Sequence, residues 1–461
     1  MRQAYKPKPV NPVNPVKKMK YKQTKTISIV TLGCSKNQVD SEKIAAKLSP
    51  QYQVIHESYV ADIVMVNTCG FINDAKQESI DTILDIVEFK KQKKIEKIIV
   101  FGCLVERYKN DFTDEISDID AFFGVNDVEK ILNYLHIRKN AQKPDYQRIL
   151  STPSHYAYLK IAEGCNKLCS FCIIPQIRGK HISKSIDDLL SEAKYLVTEK
   201  GVKEIILIAQ DTINYGIDLY SRPMLAELMN KISDTDGVEW LRLHYTYPSK
   251  YIYDVIDIMS QKNNICNYLD MPVQHSDNTI LEKMKRNHTI EDIDRIIDYA
   301  KNKNTDIHIR TTLITGFPGE SHKEFNQLLK YIKKTKFHRL GVFIYSHEEN
   351  TSATQYKDDV AHKTKIKRMG NIISTQEKIS LEHNLKKIGK TYKVIIDEIN
   401  NNDAFGRTEY DSPEIDNSVI IHDANKHKLE KGQFVDVRIT GADIFDLIAE
   451  PIRIDEVICG N

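Results

Sequence analysis

Cys165, Cys169 and Cys172 stand in the stretch EGCNKLCSFCIIPQIRGK and form a CxxxCxxC run. Three thiolates so close together on one loop can hold three irons of a 4Fe-4S cube and leave the fourth iron open to a ligand. A cluster used only for electron transfer normally takes four cysteines. A structural zinc site would need a fourth Cys or His at finger spacing. The nearest candidate, His181, lies nine positions past Cys172 and falls outside that spacing. The donor set therefore points to a cluster with one open iron, a place for chemistry.

A second group of cysteines is spread along the chain. Cys34, Cys69 and Cys103 close the segments ISIVTLGC, ADIVMVNTCG and KIIVFGC, 35 and 34 residues apart. Short runs of Ile and Val, separated by helix-compatible stretches at 41–48 and 74–89, read as β-α-β units around a buried parallel sheet. In such sheets a ligand binds outside the carboxyl ends of the strands, so these cysteines are expected to converge there on a second three-cysteine cluster. A buried cysteine often acts simply as a small apolar residue. That explains one such position more readily than three equivalent ones. Cys266 and Cys459 have no such partners and read as ordinary buried or terminal cysteines.

The elements that must position the CxxxCxxC loop follow the same alternation. Strand candidates at 158–162, 204–209, 241–245, 268–273, 307–314 and 340–345 alternate with helix-period stretches and predict a partial (β/α)6 barrel. The cysteine loop follows its first strand at the carboxyl end, where such barrels place their sites. LITGFPGE ends the fifth strand with Gly316 and Gly319. These glycines suit a close backbone approach to a ligand or a plain turn. Asp211, in LIAQDT, ends the second strand.

Beyond Asn384, five short strand patterns with turn signals suggest a small antiparallel β-barrel of the OB type. From Asn384 to Glu450 there are nine Lys plus Arg against thirteen Asp plus Glu, and TEYDSPEID carries Glu409, Asp411, Glu414 and Asp416. A surface of that sign repels a polyanion and attracts a basic protein. The first 25 residues have eight Lys plus Arg, no acid and repeated Asn-Pro-Val, and are expected to form an extended, disordered tail.

With 461 residues the chain is expected to hold two or three domains. A net charge of +2 and 28% charged residues select no partner class. No apolar run approaches the roughly eighteen residues of a membrane span, and no signal peptide is evident. The expected location is cytoplasmic. Eight cysteines, six of them in two groups of three, suit a reducing compartment better than a disulfide scaffold.

The motifs LGCSKNQVDSE, NTCGFI, EGCNKLCSFCIIPQIRG, MPVQHSDNTILEKMKR, TGFPGE and GRTEYDSPEID together resemble those of the radical S-adenosylmethionine (SAM) methylthiotransferases. The likeness is greatest to the branch that modifies a ribosomal-protein aspartate. It implies an α/β chain with a basic tail at 1–25, an N-terminal cluster domain at 26–145, a radical SAM domain at 151–382 and a TRAM domain at 384–452. Cys165, Cys169 and Cys172 would hold the SAM-cleaving 4Fe-4S cluster, and Cys34, Cys69 and Cys103 an auxiliary one that delivers sulfur. Phe171, Asp211, Gly316, Gly319 and Glu320 would contact SAM, and Glu409, Asp411, Glu414 and Asp416 the substrate. The implied reaction places a methylthio group on the β-carbon of one aspartate of small-subunit ribosomal protein twelve. SAM would be both radical source and methyl donor, and a flavodoxin or ferredoxin would supply electrons.

Two other functions are compatible with the cysteines. A tRNA adenosine methylthiotransferase would use the same clusters, and the acidic last domain argues against it. A non-enzymatic electron carrier would require four-ligand sites. Gln38, His347 and Asn350 depart from the usual family residues, so the loop after the sixth strand is expected to differ in shape.

Overall fold

The computed structural model describes residues 24–108, 117–138, 144–304 and 306–452. Nearly all of the basic tail, and Cys459, lie outside the described residues. The N-terminal sheet is parallel, in the order β2-β1-β3-β4-β5: β1 (Thr26–Thr31), β2 (Gln53–His56), β3 (Ile63–Thr68), β4 (Lys97–Gly102) and β5 (Ala121–Phe123). Its Ile and Val side chains are buried on both faces, in two apolar layers led by Ile29, Met65 and Ile99 and by Val30, Val64 and Val100. The first helix, Ser35–Leu48, starts six residues earlier than the sequence pattern suggests and makes Cys34 its N-cap. Its first turn contains Lys36 and Asn37, whose polarity hides the helix from a hydrophobic-period reading.

Six parallel strands form the open barrel: β6 (Tyr156–Lys160), β9 (Glu204–Ile208), β10 (Trp240–Leu243), β11 (Tyr268–Asp270), β12 (His308–Thr315) and β13 (Arg339–Ile344). Between β6 and β9, a short antiparallel pair, β7 (Ala162–Glu163) with β8 (Ile182–Ser183), pinches the base of the cysteine loop. The strands pair in two groups of three, and a bridge from Leu241 to Ile265 joins β10 to the segment that leads into β11. Six helices cover the outer face. Leu159, Leu207, Leu241, Leu269 and Leu313 pack there against Leu189, Leu228, Ile293, Leu328 and Ile372 in one core. Each such side chain contributes roughly 1.5–3 kcal/mol on removal from water. The helices start at side-chain caps where local chemistry provides them, as at Thr289 with Asp292 and Ser321 with Glu324.

The last domain is a closed five-stranded barrel of β14 (Thr391–Asn400), β15 (Asp403–Thr408), β16 (Val419–Ile421), β17 (Phe434–Ala442) and β18 (Leu447–Pro451). Its pairings are antiparallel except β16 with β18, which is parallel. It sits against the amino ends of the large barrel's strands. Trp240 meets Phe434 edge-on at 4.8 Å and His308 stacks on Tyr410 at 4.0 Å.

The acidic segment makes contacts that its sequence does not show. β15 ends at Thr408, and residues 409–416 turn against the large barrel, with Asp411 buried and Glu414 and Ile415 exposed. Asp411, 1% exposed, pairs with Arg339, and Asp416 accepts from the Tyr268 hydroxyl at 2.6 Å and lies 3.6 Å from Arg310. Glu409 accepts from the Asn267 amide at 2.9 Å, while its own carbonyl takes Arg242 at 2.7 Å. Glu414 is exposed yet still accepts from Tyr156 at 2.9 Å. Asp411 and Asp416 thus satisfy arginines inside the molecule, while Glu409 stays partly exposed and Glu414 exposed. The charges of Asp411 and Asp416 are met within the molecule and add little to the sign of this domain's surface.

Burial would raise the Asp411 carboxyl, but the Arg339 and Lys387 charges outweigh it and hold it below the usual range. Its stabilising contribution is therefore complete above about pH 4 and is lost as the pH falls through the lower folded-state value. Asp411→Ala should cost about 3–5 kcal/mol by stranding Arg339. The double variant Asp411→Leu with Arg339→Met should recover most of it, as urea unfolding at pH 7 would read.

Candidate functional site

The loop from Gly164 to His181 is held by its backbone. Cys165 N–H donates to the Gly179 carbonyl at 3.1 Å, and Cys172 N–H to the Cys169 carbonyl at 3.1 Å. Gly164, at φ +72°, lies so close to the Lys180 carbonyl that no Cβ fits. Ser170 ties the loop to the end of the helix Asn278–Lys283: its N–H donates to the Met284 carbonyl at 3.0 Å and its hydroxyl to that of Lys283 at 2.8 Å. Arg286 follows directly. It reaches the Cys169 sulfur at 3.5 Å and the Pro272 carbonyl at 2.8 Å, over the Tyr247 ring. Burial pushes the Cys165 thiol up to about 11 and Cys172 to about 12.

The other three cysteines do converge. Cys34, Cys69 and Cys103 follow β1, β3 and β4, which are adjacent in the sheet. Two glycines allow the close approach. A Cβ on Gly33, at φ +89°, would stand 2.7 Å from the Cys69 Cβ and 2.9 Å from its sulfur, and one on Gly70 would stand 2.9 Å from the Cys103 carbonyl. Burial raises Cys103 to about 12, and the nearby Cys34 and Cys69 add to the rise. Burial would raise Cys34 as well, but Lys36, Arg178 and the amides of the helix it caps lower it overall.

Both sets fit iron-sulfur clusters by donor chemistry. All seven cysteines among the described residues are free thiols, and Gly33 and Gly70 open a cradle beside the second set. No three His, Cys, Asp or Glu side chains among the described residues close on a single metal ion. In a cube each thiolate holds its own iron, so the sulfurs need not meet at one point.

The two sets meet across the junction of the N-terminal domain and the barrel. Cys103 packs with Ile173 and Ile177, and Ile173 directly follows Cys172. Arg178, 4% exposed, crosses the same junction. It donates to the Asn37 side chain at 2.5 Å and pairs with Asp40 at 3.1 Å and Glu163 at 2.9 Å. Asn37 Oδ1 lies 3.8 Å from the Cys103 sulfur. Lys160 pairs with the same two acids. On the other side, Glu348 of the loop after β13 pairs with Lys76 at 2.9 Å and Arg107 at 2.8 Å. The departures His347 and Asn350 flank this contact.

Among the other expected residues, Asp211 is 2% exposed, lies 3.7 Å from Lys167, and keeps one buried carboxylate oxygen without a partner. Burial raises its pKa. Phe171 packs with Met284, Phe317 and Tyr345. Gly316 and Gly319 have φ of +77° and +86°, and the Lys365 chain lies against the Gly316 Cα. Glu320 is committed to the turn itself, accepting from Gly316 N–H and at 3.0 Å from Thr315 and Arg368. It braces that loop. Arg178, Arg286 and Lys36 were missed because basic residues in polar surroundings give no periodic signal. Their adjacency to cysteine motifs was the only clue.

Gly33→Ala should lose one cluster's worth of iron on reconstitution with iron and sulfide, because the new methyl occupies the Cys69 side of the cradle. Gly370→Ala, in open space on a helix, should bind iron like the parent chain.

Comparison with known proteins agrees with this arrangement. Residues 26–124 match the Uncharacterized protein family UPF0004, 159–332 the Radical SAM superfamily, and 388–452 the TRAM domain. The ribosomal protein uS12 methylthiotransferase RimO of Cytophaga hutchinsonii is 44% identical over 94% of this chain and 99% of its own. Those of Christiangramia forsetii and Porphyromonas gingivalis are also 44% identical, over 93% and 92% of this chain and 94% and 98% of theirs. Among solved structures, the radical SAM methyltransferase TsrM of Kitasatospora setae shares the fold, with a TM-score of 0.51 at 12% identity over 70% of this chain and 72% of that one. With its two cysteine sets brought to one junction and this likeness along almost its whole length, the chain belongs to the family of the uS12 methylthiotransferases.

Proposed function

We propose that this enzyme methylthiolates the β-carbon of an aspartate in ribosomal protein uS12. Cys165, Cys169 and Cys172 hold one 4Fe-4S cluster and Cys34, Cys69 and Cys103 a second. The observation that carries the reading is the contact of Cys103 with Ile173 and Ile177. It brings the two thiol sets within one layer of side chains, so a substrate atom at the junction is in reach of both. The kinship to proteins named as uS12 methylthiotransferases supports the choice of substrate. When bound, SAM and the clusters supply hydrogen abstraction, sulfur and a methyl group.

The chain's own residues provide position and exclusion of water. Ser170 and the Met284 turn fix the cysteine loop, while Ile173, Ile177 and Phe71 seal the junction. The open oxygen of Asp211 can accept a hydrogen bond from SAM, and Phe171 with the Gly316–Gly319 turn forms the wall beside it. Electrons come from a flavodoxin- or ferredoxin-type donor. Among the described residues no helix is long and apolar enough to cross a membrane.

The test is anaerobic reconstitution, then SAM, dithionite and uS12, with mass spectrometry of the product. A methylthio group on one aspartate is expected. Cys169→Ala should lose one cluster's iron together with deoxyadenosine formation. Formation of deoxyadenosine with unmodified uS12, and methylthiolation of tRNA instead, would replace the protein substrate by a nucleic acid.

A further inference from the structure

Lys36, Lys160 and Arg178 lie together where the first helix of the N-terminal domain meets the barrel, and two of the three are neutralised. Lys160 and Arg178 share Asp40 and Glu163. Lys36 has no carboxylate partner in any ion pair among the described residues. It lies two positions after Cys34 and is 8% exposed, with its ammonium 3.6 Å from the centre of the Tyr245 ring. The groups facing it are Tyr245, Cys34 and Arg178. A buried ammonium without an anion is costly unless something else supplies one. An aromatic face offsets only part of that cost.

The perch under Lys36 is unusual as well. Tyr245 has φ +61°, a conformation that bulky residues rarely adopt and that persists only where neighbours enforce it. Asp270 accepts its N–H at 2.9 Å, and the Thr212 hydroxyl donates to its carbonyl at 3.0 Å. Tyr245 follows β10 at the carboxyl mouth of the barrel and packs against Val39, Tyr158 and Ile208. That half of the lumen is closed by the helix Ser35–Leu48. The opposite half is not. Arg310, Thr312 and Ile314, on the inward face of β12, are partly exposed, and Phe343 of β13 is 54% exposed. This side of the barrel mouth is the open one, and a polypeptide substrate would approach Lys36 from it.

From this geometry we infer that Lys36 is the specificity-determining residue that takes the carboxylate of the substrate aspartate, with the Tyr245 ring as its rest. The inference depends on the protein-substrate reading above and adds what recognises the side chain. Removing hydrogen from the carbon next to a carboxylate requires that carbon to be fixed, and the carboxylate is the nearest handle. An ammonium that is buried, preplaced and free of acid partners suits it. A neutral nucleobase offers that ammonium no carboxylate and would be disfavoured at the same place.

The competing role for Lys36 is as counter-charge to the thiolates of the second cysteine set, and the experiment separates the two. Reconstituted parent, Lys36→Met and Lys36→Arg proteins are titrated anaerobically with uS12 and with uS12 carrying Asn at the modified position. Iron content and the EPR spectrum of each enzyme are recorded in parallel. The parent should prefer the aspartate protein by about 10- to 100-fold, the range of a hydrogen bond to a charged group. Lys36→Met should bind both proteins equally, with iron content and EPR spectrum as in the parent. Lys36→Arg should recover part of the preference. A preference that survives in Lys36→Met overturns the inference. So does a change confined to iron content or spectrum, which would assign Lys36 to the cluster. A parent enzyme that does not distinguish the two uS12 proteins refutes the aspartate-substrate reading itself, and with it the role of Lys36.

Discussion

Charge removed from water, and the need to meet it with opposite charge, governs how this chain assembles. The lumen of the open six-stranded barrel is occupied by polar and charged side chains. Here that lumen carries Glu204, Arg242, Tyr268, Asp270 and Arg310, with Arg339 at its edge. A guanidinium in such a place must be paired or it costs several kcal/mol. The small C-terminal barrel meets that need from below. Arg407 joins Arg242 at Glu204, Asp411 takes Arg339, and Asp416 takes Arg310 and Tyr268. The N-terminal domain meets it from above through Asp40, which is shared by Lys160 and Arg178. The three domains are therefore parts of one electrostatic arrangement, although each has its own apolar core.

The site inherits its geometry from the upper junction. The acids that neutralise Arg178 and Lys160 also draw the first helix of the N-terminal domain onto the barrel mouth, and Cys34 caps that helix. Helix docking and placement of the second cysteine set are consequently the same event. On the far side Glu348 repeats the device with Lys76 and Arg107. Between these two polar clamps the contact is apolar, formed by Cys103, Phe71, Val125, Ile173 and Ile177. Ions around the rim and apolar groups over the sulfurs give a dry centre with fixed walls, where reactive groups are protected from water.

Much of this was legible along the chain. Runs of Ile and Val ending in cysteine mark the N-terminal strands, because a parallel sheet buried on both faces must be apolar throughout. The alternation from 156 to 345 marks the barrel, and the strand bounds observed lie within a few residues of those expected. The inward pairing of the acidic segment was not legible, for an equally physical reason. Its composition is the same whether its charges face water or arginines, and the arginines that claim it lie between 70 and 170 positions earlier in the chain.

By itself the sequence determined the donor chemistry, the order of three folding units and the attachment of each cysteine to a strand end. Those are local properties, set by residue type and by the periods of helix and strand. Tertiary structure alone decided that β1, β3 and β4 are neighbours, that the two cysteine sets share one junction, that Asp411 and Asp416 of the last domain pair with arginines of the barrel, and that Lys36 is a buried ammonium without an acid partner. These depend on the pairing of charges and surfaces far apart in the chain, and such pairing leaves no local trace in composition or period.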